Sequence, residues 1–496
     1  MSSMSGQPHM TGPPRVAIVG AGPAGLRAAE ALVQAGLRPV LIDEAPRVGG
    51  QIYRQPPPPL QRPARALYGF EASKATALFQ RFAALQGQID HRPDTLVWHI
   101  EDRCLHLLHA GQAELLPFDA LLLATGATDR VLPFPGWTLP GVFTLGAAQV
   151  ALKAQASLIG PRVVFAGTGP LLLLVAWQYL QAGGQVQAVL DVASPGAAWR
   201  TLPQLLARPS ALAKGAYWLA GLRLAGVPVH RGVRLLRAEG DKAGDRAGDR
   251  DSAGQGNIRV QRLHWQAGGP PEATDCDAIA FGHGLRSETQ LADLAGCVFD
   301  FNPLDQAWLP QRDAAGRSSV PGVYLAGDGA AITGADAAEL AGARAALALL
   351  QDLGHTVAPA QGRALERALA PLQRFRQGLE TLCPLPTDWA AQAPDHLIVC
   401  RCEEITAGAL RACVRSTGSH ELNRLKALTR IGMGRCQGRM CAPAAARLLA
   451  DAAGRTLADV GRLRGQPPVK PVPVAALGAA LANTSTSAPP QGQRDD

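Results

Sequence analysis

Val16-Ala-Ile-Val19-Gly20-Ala-Gly22-Pro23-Ala24-Gly25 is the stretch that decides the fold, because three spaced glycines directly follow a short apolar run. The run predicts a buried parallel strand, and the glycines predict a tight turn into a helix whose N-terminus can hold a pyrophosphate. A second apolar run, Val40–Ile42, ends at Asp43, whose carboxylate is expected to accept hydrogen bonds from an adenosine ribose. The pattern predicts a dinucleotide site and leaves the identity of the dinucleotide open.

Two later stretches extend the predicted site. Residues 47–54, which follow Glu44, contain Gly49, Gly50 and Gln51 and predict a loop close to the ligand. Residues 120–126 predict a buried strand that ends in a small-residue turn beside the same ligand. Between them, residues 72–85 have the pattern of an amphipathic helix.

Residues 162–191 repeat the strand, turn and helix with one important change. Gly167 and Gly169 are present, but the third glycine position holds Leu172. A leucine there is expected to push the helix away from the strand and to alter the pyrophosphate site. The sequence predicts a second Rossmann-like domain and leaves open a working NAD site or a structural remnant. If the domain binds a nucleotide, Asp191 favours NAD, since a carboxylate repels the 2'-phosphate of NADP.

Composition excludes several classes of protein. The 496 residues are 47% hydrophobic and 18% charged, as in an ordinary globular enzyme, and the net charge of +8 forms no dense basic block, which argues against nucleic-acid binding. No apolar run approaches the ~20 residues of a membrane span. The N-terminus lacks the pattern of a secretion signal, so we expect a cytoplasmic protein with a short disordered tail.

Four of the nine cysteines form two pairs near the C-terminus: Cys400 with Cys402, and Cys436 with Cys441. Two predicted helices, about 406–416 and 421–429, lie between the pairs and would fold them together. Four thiolates suit an iron-sulfur cluster or tetrahedral zinc, and free thiols are the third possibility. Nearby arginines are expected to offset the charge of a cluster, namely Arg401, Arg435 and Arg439. We expect Cys383 and Cys413 to be packing residues.

Residues 321–328 form a further apolar run that ends at Asp328. The glycine turn at 20–25, the strand and turn at 120–126, the second nucleotide fold and this run follow one another in an order that resembles the two-dinucleotide-domain flavoproteins, such as glutathione reductase and thioredoxin reductase. The resemblance covers about residues 15–350. The resemblance implies FAD in the first site and a ribityl contact at Asp328. No redox cysteine pair occurs within residues 15–350, so electrons must leave the flavin by another route. The residues expected to contact FAD are Gly20, Gly22, Pro23, Ala24, Gly25, Asp43, Glu44, Gly50, Gln51, Thr125, Gly126, Gly327 and Asp328.

The cysteine-rich segment resembles the helical [2Fe-2S] module of bacterioferritin-associated ferredoxin, although its second pair is more widely spaced than is usual there. The whole of residues 15–455 resembles the alpha subunits of opine oxidases, D-hydroxyproline dehydrogenase and hydrogen cyanide synthase. This resemblance implies an FAD-dependent, amino-acid-oxidase-like beta subunit that oxidises a carbon–nitrogen bond. It leaves open an FMN at the subunit boundary and a small ferredoxin-like gamma subunit. The sequence shows no recognisable set of general acid and base residues, so the catalytic residues stay unknown.

The predicted fold is α/β, with two Rossmann-like three-layer domains and a small all-α [2Fe-2S] domain. The predicted segments are a tail (1–14), an FAD domain (15–140 and 286–352), a second nucleotide domain (141–285) with a mobile insert (239–257), a helical linker (353–395), the [2Fe-2S] domain (396–455) and a Pro/Ala-rich tail (456–496). The main hypothesis is an electron-relay subunit of an amino-acid or opine dehydrogenase. The alternatives are a self-sufficient NADH-dependent flavoprotein and a zinc-stapled binding or regulatory protein with a vestigial flavin fold.

Overall fold

The computed structural model describes residues 13–60, 62–193, 201–240 and 259–476. Most of the predicted N-terminal tail and of the predicted insert therefore lies outside the described residues. The strands, in chain order, are β1 (Val16–Val19), β2 (Val40–Ile42), β3 (Asp90–Arg92), β4 (Thr95–Glu101), β5 (Cys104–His109), β6 (Gln112–Pro117), β7 (Ala120–Leu123), β8 (Ala127–Asp129), β9 (Val142–Thr144), β10 (Arg162–Thr168), β11 (Gln185–Asp191), β12 (Val229–Arg231), β13 (Arg234–Gly240), β14 (Val260–Gln266), β15 (Glu272–Asp275), β16 (Ala278–His283), β17 (Leu285–Ser287), β18 (Phe299–Asn302), β19 (Ala307–Pro310), β20 (Val323–Leu325), β21 (Ile398–Cys400) and β22 (Ile405–Thr406).

Helices cover both sheets and build the C-terminal part of the chain. The predicted helix over residues 72–85 is confirmed. Two short 3-10 turns, Gly69–Glu71 and Gly327–Gly329, accompany the α-helices. The helices, in chain order, are α1 (Pro23–Gln34), α2 (Ala64–Tyr68), α3 (Ala72–Leu85), α4 (Leu145–Ala154), α5 (Pro170–Gln181), α6 (Leu202–Leu205), α7 (Pro209–Leu224), α8 (Gln290–Leu294), α9 (Ala335–Asp352), α10 (Pro359–Leu382), α11 (Trp389–Gln392), α12 (Ala407–Thr417), α13 (Leu422–Thr429) and α14 (Ala442–Ala453).

Two five-stranded parallel sheets confirm the predicted α/β class. The first has the order β20-β7-β1-β2-β3, and the second has the order β12-β11-β10-β16-β9. In the first sheet β1 and β7 are continuous apolar runs that are fully buried, and β16 of the second sheet is also buried throughout, which is typical of parallel strands covered on both faces. The antiparallel pair β8–β17 joins the two domains at the point where the chain crosses between them.

The cysteine-rich segment is helical, apart from the short hairpin β21–β22. It shares one contiguous apolar core with the second domain, to which Phe281 and Leu448 both belong. Two indole N–H groups tie it to the domain crossing. Trp137 Nε1 donates to the carbonyl of Ile398 at 2.6 Å, and Trp389 Nε1 donates to the carbonyl of Pro133 at 2.8 Å.

The predicted tail is packed against the first domain as far as residue 476. Arg462 makes a bidentate ion pair with Asp293, with N–O distances of 2.6 and 2.7 Å. Further on, the backbone N–H of Val469 donates to the carbonyl of Trp98 at 3.1 Å, and the Val469 side chain is buried. Among the described residues, no helix has both the length and the apolarity needed to cross a bilayer.

Candidate functional site

The first glycine turn brings α1 as close to β1 as the backbone allows. A Cβ atom on Gly25 would lie 1.8 Å from the carbonyl oxygen of Gly20, so only glycine fits there. Gly22 is the N-cap residue of α1, and Pro23 follows at the first helical position, where the absence of an N–H costs nothing. The turn therefore leaves free backbone N–H groups at a helix N-terminus, which suits a pyrophosphate.

Asp43 lies at the edge of this turn. Its carboxylate accepts hydrogen bonds from the backbone N–H groups of Ala21 at 2.6 Å and Ala45 at 2.7 Å. Burial raises the pKa of Asp43 and outweighs these two hydrogen bonds, which lower it. Asp43 thus braces the turn, and its expected contact with a ribose stays a prediction. The carboxylate of Glu44 pairs with Lys470 of the C-terminal segment, and its expected contact with FAD stays a prediction.

The loop after β2 closes over the glycine turn. The N–H of Gly49 donates to the carbonyl of Ala21 at 2.9 Å, and a Cβ on Gly50 would lie 3.0 Å from Cα of Gly22. The side chain of Gln51 is exposed and accepts hydrogen bonds from Arg54. The backbone at Gly50 therefore borders the predicted phosphate site, whereas the Gln51 side chain is engaged elsewhere.

The two remaining flavin motifs meet beside the end of β7. A Cβ on Gly329 would lie 2.5 Å from Oγ1 of Thr125, so the turn that contains Gly327 and Asp328 lies against Thr125 and Gly126. Asp328 accepts hydrogen bonds from the N–H groups of Thr333 at 2.8 Å and Gly334 at 2.9 Å. Both bonds end on Oδ1, so Oδ2 can face a ligand hydroxyl.

Ala24 is buried between this turn and α9. A Cβ on Gly342 of α9 would lie 2.0 Å from the carbonyl of Ala24, and one on Gly327 would lie 2.9 Å from Cβ of Ala24. The structure therefore brings the residues predicted for FAD to one edge of the first sheet. Ala24 contributes packing between the elements.

The second glycine turn has a different environment. Leu172 is 1% exposed and belongs to an apolar core that also contains Phe165 and Tyr179. Asp191, the predicted ribose ligand, accepts a hydrogen bond from the N–H of Ala193 at 3.0 Å and lies 3.5 Å from the Arg231 guanidinium. Burial raises the pKa of Asp191 despite these contacts.

The linker helix α10 ends at this second turn. Its C-cap residue, Cys383, lies beside Thr168, Gly169 and Asp191, and burial together with the Asp191 charge raises the pKa of Cys383 to about 11. A Cβ on Gly378, one turn earlier, would lie 2.8 Å from Cβ of Gln204 in α6. The linker therefore packs where a second nucleotide would approach Gly167 and Gly169.

The four predicted metal ligands come together at the start of α14. The thiol of Cys441 hydrogen-bonds to Cys400 and to Cys436, and Cys402 interacts with Cys436. Cys400 and Cys441 are buried, whereas Cys402 is exposed, so one edge of the group faces solvent. Gly434 permits this arrangement, because a Cβ there would lie 2.3 Å from Cβ of Cys402. Four thiols are the donors of both a [2Fe-2S] cluster and tetrahedral zinc. No three of these four sulfur atoms lie within 4.8 Å of one another, so the group is more open than a tetrahedral zinc site, whose sulfur atoms are ~3.8 Å apart.

The four thiols share protons unequally. The Cys441 thiol, followed by the N–H groups of Met440 and Gly438, lowers the pKa of Cys436, whereas the contacts with Cys400 and Cys436 raise the pKa of Cys441 and burial raises that of Cys402. The pKa of Cys400 falls to about 6, with Cys441 again the largest cause. Thiolates that accept N–H hydrogen bonds are the form that binds metal.

A largely buried ion pair joins the Cys436–Cys441 loop to the flavin side. Arg439 donates to both carboxylate oxygens of Glu288, at 2.7 and 3.3 Å, and each side chain is 13% exposed. The carbonyl of Glu288 accepts a hydrogen bond from Thr125 Oγ1 at 2.6 Å. The side chain of Gln290 also donates to the carbonyl of Gln437 at 2.8 Å. The loop therefore docks directly on the segment next to the predicted flavin turn.

Sequence reasoning missed Glu288 and Arg286. The guanidinium of Arg439 is paired with Glu288, and its expected role in offsetting the charge of a cluster stays a prediction. Arg401 lies 5.7 Å from the centre of the Trp137 ring. Arg286 is a partly buried cation near Cys436 and Cys441, and it donates to the carbonyl of Arg439 at 3.0 Å. No local motif marks these residues, since the two segments are about 150 positions apart in the chain.

Comparison with known proteins identifies the family. Residues 14–348 match the pyridine nucleotide-disulphide oxidoreductase model, and residues 397–481 match the sarcosine oxidase A3 domain. The chain belongs to the pyridine nucleotide-disulphide oxidoreductase family. This family implies FAD in the first domain, and the chain is accordingly a flavin oxidoreductase.

Two relatives of this flavin oxidoreductase match almost its whole length. The A subunit of opine oxidase from Rhizobium meliloti is 37% identical over 93% of this chain and 86% of its own length. The HcnB subunit of hydrogen cyanide synthase from Pseudomonas aeruginosa is 34% identical over 93% of this chain and 98% of its own length. The predicted resemblance to these subunits is confirmed. The crystal structure of L-proline dehydrogenase from P. horikoshii superimposes with a TM-score of 0.63 at 20% identity, covering 94% of this chain and 79% of that chain, which confirms the fold.

Proposed function

We propose that this flavin oxidoreductase is the electron-transfer subunit of a multi-subunit amino-acid or opine dehydrogenase. It carries FAD at the first glycine turn and a [2Fe-2S] cluster on Cys400, Cys402, Cys436 and Cys441. A carbon–nitrogen bond is oxidised on an FAD-dependent, amino-acid-oxidase-like beta subunit. The observation that carries the proposal is the direct docking of the Cys436–Cys441 loop on the flavin side through Arg439 and Glu288.

The cofactor pair suits a relay. Bound flavin accepts two electrons and can release them singly, and a [2Fe-2S] centre accepts one electron at a time. The chain's own residues hold the two sites close together. Glu288 links Thr125, beside the flavin turn, to Arg439, which lies between two of the cysteines. The exposed Cys402 edge gives electrons a short path to a partner or acceptor.

The names of the relatives support a subunit role. They are called the A subunit of opine oxidase and the HcnB subunit of hydrogen cyanide synthase. The substrate pocket, a small gamma subunit and an FMN at the subunit boundary then belong to the assembled complex, in the cytoplasm. We assign no catalytic residue for substrate oxidation to this chain.

Metal and flavin content after anaerobic purification test the cofactors. We expect one FAD and about two irons per chain, as a four-thiolate [2Fe-2S] site requires. Cys441→Ser should lose the iron and keep FAD, whereas the matched control Cys413→Ser should keep both, since Cys413 lies on α12 outside the group of four. One zinc in place of iron would instead support the zinc-stapled alternative.

Two further measurements test the relay itself. Co-expression with neighbouring genes, followed by a screen of opines, D-hydroxyproline, proline and glycine, should show substrate-dependent reduction of the flavin only in the complex. Rapid loss of flavin absorbance when NADH is added to the isolated chain would favour the self-sufficient NADH-dependent flavoprotein. The contacts of Asp191 and Cys383 argue against that rival, because they occupy the second turn.

A further inference from the structure

The antiparallel pair β4–β5 presents one apolar face and one face that is rich in metal-ligating groups. Val97, Ile100, Leu105 and Leu107 point into the core between this pair and the first sheet. His99 and His106 are directly opposite each other on the other face, and Glu101 is two residues beyond His99. This group lies outside both the flavin site and the cysteine group.

A bulge creates the arrangement. Val97 and His99 are two residues apart and would share a face in a regular strand. The register shifts between them, so that Val97 pairs with Leu107 while His99 pairs with His106. The extra residue, Trp98, lets Val97 stay in the core and turns His99 toward His106. The three rings then pack together, with centroid distances of 4.8 Å between the histidines and 5.0 Å between Trp98 and His106.

The ligand atoms have the spacing that a cation needs. One nitrogen of each histidine and one oxygen of Glu101 all lie within 4.8 Å of one another. His99 Nε2 is 3.5 Å from the Glu101 carboxylate. Ligand atoms on a tetrahedral zinc ion lie about 3.3–3.6 Å apart, as follows from metal–ligand distances of ~2.0–2.2 Å. Small side-chain rotations therefore suffice to bring all three onto one ion.

Two further features favour ligation over a simple surface ion pair. His99 Nδ1 is buried without a hydrogen-bond partner among the described residues, so nothing there competes for the ring. Glu101 is largely exposed, so the open side of the group can admit an ion and its waters.

We propose that His99, Glu101 and His106 form a binding site for one divalent transition-metal ion of the zinc class. Two imidazoles and one carboxylate are donors that Zn²⁺ accepts, and the open side leaves a position for water. The site would also stiffen β4 where the carbonyl of Trp98 holds Val469 of the C-terminal segment. It is separate from the cysteine group and does not depend on the proposed function.

Zinc binding by the full-length protein with its cofactors tests the proposal. Equilibrium dialysis against Zn²⁺, read by elemental analysis, should show one more bound zinc in the wild type than in His106→Gln. His99→Gln should weaken the same site by more than the roughly 10- to 100-fold that even outer-shell changes cost. His109→Gln is the matched control, because His109 lies on the same strand and hydrogen-bonds to Thr95. Its zinc binding should equal that of the wild type.

Thermal unfolding supplies a second readout. Zn²⁺ at saturating concentration should raise the Tm of the wild type and of His109→Gln by mass action, and should not raise that of His106→Gln. If His106→Gln fails to fold, Glu101→Gln replaces it, since Glu101 is exposed. Equal zinc binding by the wild type, His99→Gln and Glu101→Gln would overturn the proposal and leave the group as an ion pair beside stacked rings.

Discussion

The two glycine turns of this protein begin alike and end differently. In the first, Gly25 lies against the backbone of Gly20 with no room for a side chain, and the flavin motifs gather around it. In the second, Leu172 fills an apolar core at the equivalent position, and Cys383 of the linker lies beside Asp191. The third glycine position therefore distinguishes the two turns. Glycine there leaves the first turn open to a ligand, whereas leucine fills the core behind the second turn, and both turns still follow a strand of a parallel sheet.

The two turns also differ in the parts of the molecule that they contact. The first turn lies next to Thr125, and Glu288 and Arg439 continue from there to the cysteine loop. The second turn is joined to the linker helix α10 through Cys383 and to the core through Leu172. Under the proposed function, the first turn is the one placed for electron transfer, whereas the second holds the domains together.

The largest expected effect comes from making the first turn resemble the second. Gly25→Leu would place a Cβ 1.8 Å from the Gly20 carbonyl, so α1 must move away from β1. We expect a loss of more than about 4 kcal/mol in the free energy of unfolding, together with loss of FAD. Circular dichroism and the flavin-to-protein ratio measure these effects.

Gly22→Ala is the informative control for that substitution. A Cβ at Gly22 would have its nearest neighbour at 3.6 Å, which is ordinary contact, so the fold should survive. FAD affinity should still fall, because the added methyl group lies where the pyrophosphate approaches. Full FAD retention in Gly25→Leu would show that the close helix–strand approach is not needed.

A smaller but specific effect is expected where the first turn meets the cysteine loop. Arg439→Met removes one partner of a pair in which both side chains are 13% exposed and leaves Arg286 as the cation that still faces Glu288. The loss of its charged hydrogen bonds should cost about 1.5–3 kcal/mol. Electron transfer from reduced flavin to the cluster, followed by stopped-flow absorbance and EPR, should slow while FAD stays bound. Arg455→Met, an exposed change just after α14, should leave the rate unchanged.

Removing the leucine side chain from the second turn should affect only the free energy of unfolding. Leu172→Ala removes a side chain that is 1% exposed and should cost about 2–5 kcal/mol in denaturant unfolding. Leu173→Ala, which is partly exposed, should cost less. NADH binding, followed by fluorescence, should not appear in either variant, because Asp191 and Cys383 still occupy the site. Tight NADH binding by Leu172→Ala would mean that the leucine alone had closed the second turn.

Local patterns predicted much of this molecule, and tertiary contacts supplied the rest. The strands beside both turns, the helix over residues 72–85 and the pairing of the four cysteines follow from apolar runs, periodicity and spacing. The Glu288–Arg439 pair could not be predicted, since it joins residues 151 positions apart and neither lies in a motif. The same holds for Cys383, which looks like a packing residue in sequence and reaches the second turn only because α10 runs across α6. Apolar runs and periodicity determine where helices and strands form. The partners of a long charged side chain depend instead on how the domains dock.

The smallest expected effect is the reactivity of Cys383, which reports directly on the second turn. Because burial and the Asp191 charge raise its pKa to about 11, only about one thiol in a thousand is ionised at pH 8, and the thiolate is the reactive form. Alkylation by iodoacetamide, followed by mass spectrometry, should therefore be slow at pH 8 and should accelerate about tenfold per pH unit up to about pH 10. Millimolar NADH should not change the rate, since the linker already lies on the turn. Protection of Cys383 by NADH would mean that the linker moves aside for a nucleotide, and the contrast between the two turns would then be one of affinity and not of access.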